Sequence, residues 1–289
     1  MKYIFLINSF TVGKHVDKLV ELIKEYSEDK KINYKIEINS NEVSTEDILE
    51  KYKNSENIII PIGGDGIINR TVNGIINTNN KLGFIPYGTG NDFYRTALKE
   101  FNDGLNKCDL VKVNDKYFIN TMCFGIDADI AYNKRLFKSN FIPKDIRYTL
   151  SILYTFFKYK SKHLTIKVND EIIEDDYTTI ALCNGDFYGG GYYVSPNSKL
   201  NDGVLDVLLV PITNKLSMIK LILNMKKGKH LNSNKIRILN TSKIKISSDE
   251  NITANIDGED ITSKKFDIEL IKNGIDIYFD KEMILKLKR

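Results

Sequence analysis

Cysteine and histidine are scarce, at 3 each in 289 residues. Cys108, Cys123 and Cys183 lie far apart and form no C-x-x-C pair. That spacing argues against a disulfide framework or a zinc site and for a reducing compartment. His15, His163 and His230 are equally scattered, which disfavours a zinc hydrolase or a histidine-based triad. An excess of one charge is missing as well. With 42 Lys and Arg against 38 Asp and Glu, the formal net charge is +4, far from the strongly basic nucleic-acid binders, so no nucleic-acid partner is expected. Long apolar runs are also lacking. Residues 1–7 are too short for a signal-peptide core and read as a first strand. Residues 150–157, interrupted by Ser151, Tyr154 and Thr155, fall well short of the ~20 residues of a membrane span, so nothing is expected to cross a bilayer.

What is present is organised around Gly63-Gly64-Asp65-Gly66. It follows the β-branched run Ile58-Ile59-Ile60, a buried strand in pattern, and precedes Ile67, Ile68, Val72, Ile75 and Ile76 at the spacing of a helix that buries one side. The glycines therefore sit where a strand turns into a helix. Glycine permits a tight turn and a close approach, and the helix start offers unpaired N–H groups to an anion such as phosphate.

Upstream, strand, helix, strand and helix alternate, with a polar turn from Asn8 to Gly13 after the first strand. Such alternation implies a parallel sheet that binds ligands beyond the carboxyl ends of its strands. Downstream, Tyr87-Gly88-Thr89-Gly90-Asn91-Asp92-Phe93 is a second small-residue turn entering a helix, a second wall for a nucleotide site. In the second half, short alternating strands are expected at residues 164–168, 178–182, 205–210, 243–246, 266–270 and 275–279, with helical interludes at 146–159 and 216–225. The length and this change of pattern divide the chain into an α/β domain with a parallel sheet, residues 1–117, and a mainly antiparallel β domain, residues 118–276.

The pair G-G-D-G and P-x-G-T-x-N-D-F-x-R, here Pro86 to Arg95, resembles the diacylglycerol kinase catalytic family, bacterial lipid kinases related to sphingosine kinases. Asn120 with Gly125, Cys183-Asn184-Gly185 through Gly191, Asn201-Asp202-Gly203 and the late Asp257-Gly258-Glu259 match further blocks in the same order. The resemblance implies transfer of the γ-phosphate of ATP, with Mg²⁺, to the hydroxyl of diacylglycerol or a related lipid. The active site would lie in the cleft between the domains, with residues 277–289 returning to the first. Gly63, Gly64, Asp65, Gly66, Asn69, Gly88, Thr89 and Asn91, with Asn8 from the first turn, are the expected nucleotide contacts. Asp257 and Glu259, with Asp65, are the expected catalytic carboxylates, a pair whose pKa values suit a base near neutrality. Asp202 with the carbonyls of Lys199 and Val204 is the expected structural Mg²⁺ site. Asp127 is a weaker acidic candidate. The lipid partner implies a cytoplasmic protein held peripherally at the inner face of the membrane, and a homodimer is allowed. Residues 135–160 and the cluster Lys226, Lys227, Lys229 and Lys235 are candidates for the membrane-facing side, although apolar helix faces more often form core.

Three positions depart from the family pattern, all on the nucleotide side. Ile67 replaces a threonine, so a hydroxyl expected near phosphate is missing. Arg70 reverses the charge of a glutamate. The first turn lacks its proline and shifts its glycine to Gly13. The alternative is therefore a nucleotide- or lipid-binding relative with little catalysis. An NAD kinase shares the G-G-D-G turn but fits the other blocks poorly.

Overall fold

The computed structural model describes residues 1–126, 128–129, 155, 159, 161–212 and 214–288. Apolar β-branched runs form the first strands, and helices with one apolar side return the chain between them. The order is β1 (Lys2–Asn8), α1 (Ser9–Val12), α2 (Val16–Asp29), β2 (Tyr34–Asn39), α3 (Thr45–Glu50), β3 (Asn57–Gly63), α4 (Asp65–Ile75), β4 (Lys81–Leu82), β5 (Ile85–Pro86) and α5 (Asp92–Glu100). Leu19, Ile23 and Tyr26 recur at helical spacing and give α2 its buried side. Ser44 and Asp47 form a reciprocal capping box that starts α3. All seven residues of β3 are buried, as befits a strand covered on both faces.

Beyond α5 the chain becomes mainly strand: β6 (Gly104–Val113), β7 (Lys116–Phe118), β8 (Thr121–Gly125), β9 (Lys162–Val168), β10 (Glu171–Cys183), the small hairpin β11 (Phe187–Tyr188) and β12 (Tyr192–Tyr193), then β13 (Leu205–Pro211), α6 (Lys215–Met225), β14 (Arg237–Thr241), β15 (Lys243–Ile256), β16 (Glu259–Phe279) and α7 (Lys281–Leu287). Asp127 and residues 135–150 lie outside the described residues, as does nearly all of the helix expected at 146–159.

β1 runs parallel to β2 and β3, and β3 runs parallel to β4 and β5. The strands from β6 to β16 pair antiparallel with one another, while β16 meets β4 in parallel at Ile277 and Leu82. The parallel strands are thus not a separate sheet, as expected from the sequence, but one end of a continuous 14-stranded sheet that is mostly antiparallel. The joint is β16. The sequence expects breaks at residues 271–274, yet these residues make only a bulge in a 21-residue strand, with Asn273 at φ 53° and its N–H donated to Asp109 Oδ1 at 2.7 Å.

Two cores follow. One collects β1, β3, α2, α4 and α5, and the other fills the antiparallel part. β6 and β16 enter both: Cys108 and Leu110 in the first and Val111 and Val113 in the second, Ile275, Ile277 and Phe279 in the first and Phe266, Ile268 and Leu270 in the second. α7 closes the first core with Met283, Ile284 and Leu287. The three cysteines are buried.

Asp280 caps α7 by accepting the Met283 N–H at 2.8 Å and accepts the Tyr26 hydroxyl of α2 at 3.1 Å. Loss of such a cap costs about 0.5–2 kcal/mol. Asp280→Ala is expected to lower the unfolding free energy measured in urea by that amount and to raise hydrogen exchange in α7 first. Unchanged exchange there would show that the cap does not hold the helix.

Candidate active site

The two glycine turns meet back to back. Gly63 ends β3 and Gly64 caps α4, while Tyr87 and Gly88 donate their N–H groups to the Gly63 carbonyl at 2.7 and 3.1 Å. A Cβ on Gly88 would lie 2.5 Å from the Gly64 Cα, so only glycine allows the two backbones this close. Asn91, at φ 53°, closes the second turn: its Oδ1 accepts the Gly88 N–H at 2.9 Å and its Nδ2 donates to the Gly88 carbonyl at 2.8 Å. The Asn91 side chain, expected on the nucleotide, is committed to its own turn. Thr89 is exposed at the tip.

Asp65 begins α4 and accepts the Phe93 N–H of α5 at 3.2 Å, tying the first turn to the second. Asp92 accepts the N–H groups of Gly190 and Gly191 at 2.8 and 2.7 Å, drawing the turn of the β11–β12 hairpin onto the same place. The two carboxylates flank Gly90, whose Cβ would lie 3.0 Å from Asp65 Oδ2 and 3.4 Å from Asp92 Oδ2. Burial pushes the Asp65 carboxyl up, and burial followed by the Asp65 charge pushes Asp92 up.

Asp257 and Glu259 separate into different environments. Asp257, at φ 47° in the turn between β15 and β16, is 6% exposed and accepts the N–H groups of Ile119, Asn120 and Thr121 at 2.8, 3.1 and 2.9 Å and the Asn69 Nδ2–H at 3.2 Å. Burial pushes its carboxyl up to about 6 against those donors. A carboxylate so enclosed holds backbone together, and its oxygens are taken. Glu259 instead is 41% exposed and lies over the start of α4: a Cβ on Gly66 would be 3.1 Å from Glu259 Oε1. The D-G-E turn therefore packs directly onto the glycine turn instead of facing it across a cleft.

Arg70, the charge reversal, reaches Glu259 Oε1 at 3.7 Å and the Gly66 carbonyl at 3.5 Å through Nε. Ile67 is 1% exposed and fills the space left by Gly63, where a Cβ would meet Ile67 Cγ2 at 2.7 Å. Its side chain belongs to the first core. Asn69 spends its amide N–H groups on the Tyr117 carbonyl and Asp257, so it joins α4 to the β7 region. Asn8 is 6% exposed beside Gly63, and its Oδ1 is buried without a hydrogen-bond partner. An unpaired buried acceptor at a phosphate turn is costly and suits a ligand or water that donates to it.

The expected metal loop is organised by another residue. Asp109, fully buried, accepts the N–H groups of Gly203 at 2.6 Å and Asn273 at 2.7 Å. Asp202 Oδ1 accepts the Val204 N–H at 2.9 Å, and the Asp202 carbonyl takes Lys272 Nζ at 3.4 Å. No group of three acidic, His or Cys side chains suited to a metal occurs among the described residues. A cation here would rest on one half-used carboxylate, carbonyls and water, an oxygen-only set of the kind Mg²⁺ accepts. A groove of about 590 Å³ bordered by Lys112, Lys167 and Lys245 contains none of these residues.

Comparison with known proteins finds matches along nearly the whole chain. Residues 2–117 match the diacylglycerol kinase catalytic domain, and residues 120–278 match the YegS C-terminal NAD kinase beta sandwich-like domain. The chain belongs to the diacylglycerol kinase family. A diacylglycerol kinase of Bacillus subtilis (strain 168) is 27% identical over 222 residues, 70% of this chain and 71% of that protein. One of Staphylococcus epidermidis is 29% identical over 214 residues, 70% of this chain and 67% of that protein. The crystal structure of a diacylglycerol kinase from Bacillus anthracis str. Sterne covers 97% of this chain and 98% of its own, with a TM-score of 0.69 at 21% identity, a likeness of fold.

Within this diacylglycerol kinase family member, sequence reasoning passed over Asp109 and placed Asp92 in the second turn without its structural role. Both stand in or near readable blocks, but their partners lie 94 to 164 residues away. A polar residue immediately after a turn glycine motif was the available signal for Asp92.

Asp257→Asn leaves one acceptor oxygen for four donors, an expected loss of about 2–4 kcal/mol in denaturant unfolding. Because the folded carboxyl titrates at about 6, above its ordinary 3.8, the folded state holds this proton more tightly. Wild-type stability should fall by up to about 3 kcal/mol from this group as pH rises from about 4 to 6. The variant should lack that fall, and an identical slope in both proteins would contradict the assignment. Gly88→Ala, by forcing the turns apart, should cost about 1–3 kcal/mol and weaken any nucleotide binding measured by calorimetry.

Proposed function

We propose that this chain transfers the γ-phosphate of ATP to the hydroxyl of diacylglycerol or a related lipid, giving phosphatidic acid or its analogue. The observation that carries the reading is the exposed Glu259 carboxylate over the N-terminus of α4, at the glycine turn. A phosphate seated there meets unpaired helix N–H groups and the positive end of the helix dipole. Gly63, Gly64 and Gly66 let it approach the backbone, and Asn8 Oδ1 awaits a donor beside them.

Glu259 is the base. As the lipid hydroxyl oxygen bonds to the γ-phosphorus, its proton passes to a Glu259 oxygen, and the bond from phosphorus to the bridging oxygen breaks to release ADP. Arg70 balances the charge of Glu259 and of the transferring group. Asp65 and Asp92 fix the two turns, and Asp257 is a positioning residue that sets where Glu259 stands. Mg²⁺ bound to the nucleotide would neutralise phosphate charge. A further Mg²⁺ at Asp202, with the Lys199 and Val204 carbonyls, would stiffen that loop. Ile67 is buried in the first core, so its side chain does not project into the space a phosphate would take at the turn. Among the described residues no helix is long and apolar enough to cross a membrane, which fits a protein that meets its lipid from the surface.

Transfer of labelled phosphate from ATP to diacylglycerol in mixed micelles tests the reading. Glu259→Gln should lower kcat by about 10²- to 10⁴-fold and leave unfolding within about 0.5 kcal/mol of wild type. No transfer to any lipid would sink the kinase reading, and an undiminished Glu259→Gln rate would remove the base.

A further inference from the structure

The turn after β1 carries an aromatic ring that the chemistry at Glu259 leaves unused. Phe10 is 60% exposed in α1, between the buried Asn8 and the buried Val12. Its backbone is anchored on both sides. Ser9 donates its N–H to Asn39 Oδ1 at 2.9 Å and its hydroxyl to the Asn39 carbonyl at 2.6 Å, while Val12 packs into the first core. A proline at position 9 would have no N–H to give, so the missing proline of this turn is replaced by a tie to β2. One exposed ring needs no explanation by itself. This one is presented by a held turn at the edge where the parallel strands end.

That edge is level across three strands. Ile7 pairs in register with Ile62, one residue before Gly63, and Asn8 pairs with Asn39. The glycine turn, Asn8 and Asn39 therefore follow one another along the edge at about 5 Å per strand. Phe10 lies two residues beyond Asn8, and α1 comes within 8 Å of β3 between Cα atoms. The ribose and base of a nucleotide whose phosphates sit at the start of α4 fall one to two strand spacings away, within reach of that ring.

A second observation calls for a nucleoside. Asn8 Oδ1 is buried without a hydrogen-bond partner and, as an acceptor, needs a donor. Ionised phosphate oxygens only accept, whereas a ribose hydroxyl donates. The Asn39 amide is spent on Ser9 and on Thr45 Oγ1, the latter at 3.2 Å, so it offers nothing to the edge of a base. What remains at this end is apolar: Phe10, and Ile38, 41% exposed and paired in register with Ile7.

We propose that Phe10 is the stacking platform for the nucleobase of the bound ATP, with the ribose laid past Asn8. This role rests on the reading of the glycine turns as a nucleotide site. Every base has a π-face, so a platform of this kind holds the plane of the ring and adds affinity without touching the phosphates.

The chain contains no tryptophan, so Phe10→Trp introduces a single indole. Titration of that variant with ATP and Mg²⁺, without lipid, should change its fluorescence, whereas tripolyphosphate with Mg²⁺, which has no base, should not. By calorimetry, Phe10→Ala should weaken ATP binding about 5- to 100-fold, the worth of one stacked base. The same variant should bind tripolyphosphate as wild type does and unfold at the same temperature, and Phe10→Tyr should restore ATP binding. Equal ATP binding by wild type and Phe10→Ala overturns the platform and leaves the nucleotide site standing. So does an equal weakening of ATP and tripolyphosphate, or an indole signal that follows both ligands alike. Failure of the wild type to bind ATP at all removes the platform and the kinase reading together. ATP binding that depends on Phe10, with no transfer to any lipid, supports the platform and counts against the kinase reading alone.

Discussion

Everything at the site hangs on one buried carboxylate. Asp257 gathers three consecutive N–H groups from residues 119–121 and the Asn69 amide of α4, so the β15–β16 turn, the entry to the antiparallel region and the phosphate-turn helix share a single anchor. A charge enclosed to this degree is tolerated only when its oxygens are met, and here each donor also fixes a different segment of chain. The neighbouring residue but one, Glu259, is left with solvent on one side and the start of α4 on the other. Division of labour within three residues follows from geometry: the first carboxylate is spent on the frame and the second is left partly exposed beside Arg70.

The same logic repeats on the other side of the glycine turns. Asp65 and Asp92 each accept backbone N–H groups from a segment distant in sequence, and burial together with the Asp65 charge raises the cost of ionising Asp92. Between them the contact of Gly64 with Gly88 leaves no room for side chains, so the surface of the paired turns is made of backbone there. Charge reversal at position 70 fits into this frame as a partner for Glu259.

Local features were readable in the sequence because they depend on near neighbours. Gly63 does end a strand and Asp65 does begin a helix, and the β-branched run before them is buried throughout. The roles of Asp92, Asp109 and Asp257 were not readable, since each is decided by N–H groups far along the chain. Ile67 misled for a related reason: as a replaced hydroxyl it read as a gap at the phosphates, but the missing Cβ of Gly63 makes its position a packing site. Asn69 and Asn91 read as ligand contacts because amides suit phosphates, yet backbone groups nearby claim them first. Lys272-Asn273-Gly274 has the composition of a turn, and only the Asp109 carboxylate, by taking the Asn273 N–H, keeps the strand running through it.

That uninterrupted strand has a mechanical consequence. At roughly 3.3 Å per residue, β16 is about 70 Å long, and it lends side chains to both cores while β6 runs beside it. Bending the two halves apart would tear a ladder that both cores clamp, so the molecule has no free hinge at its waist. Among the described residues, hairpins and turns at the rim can yield without disturbing this ladder.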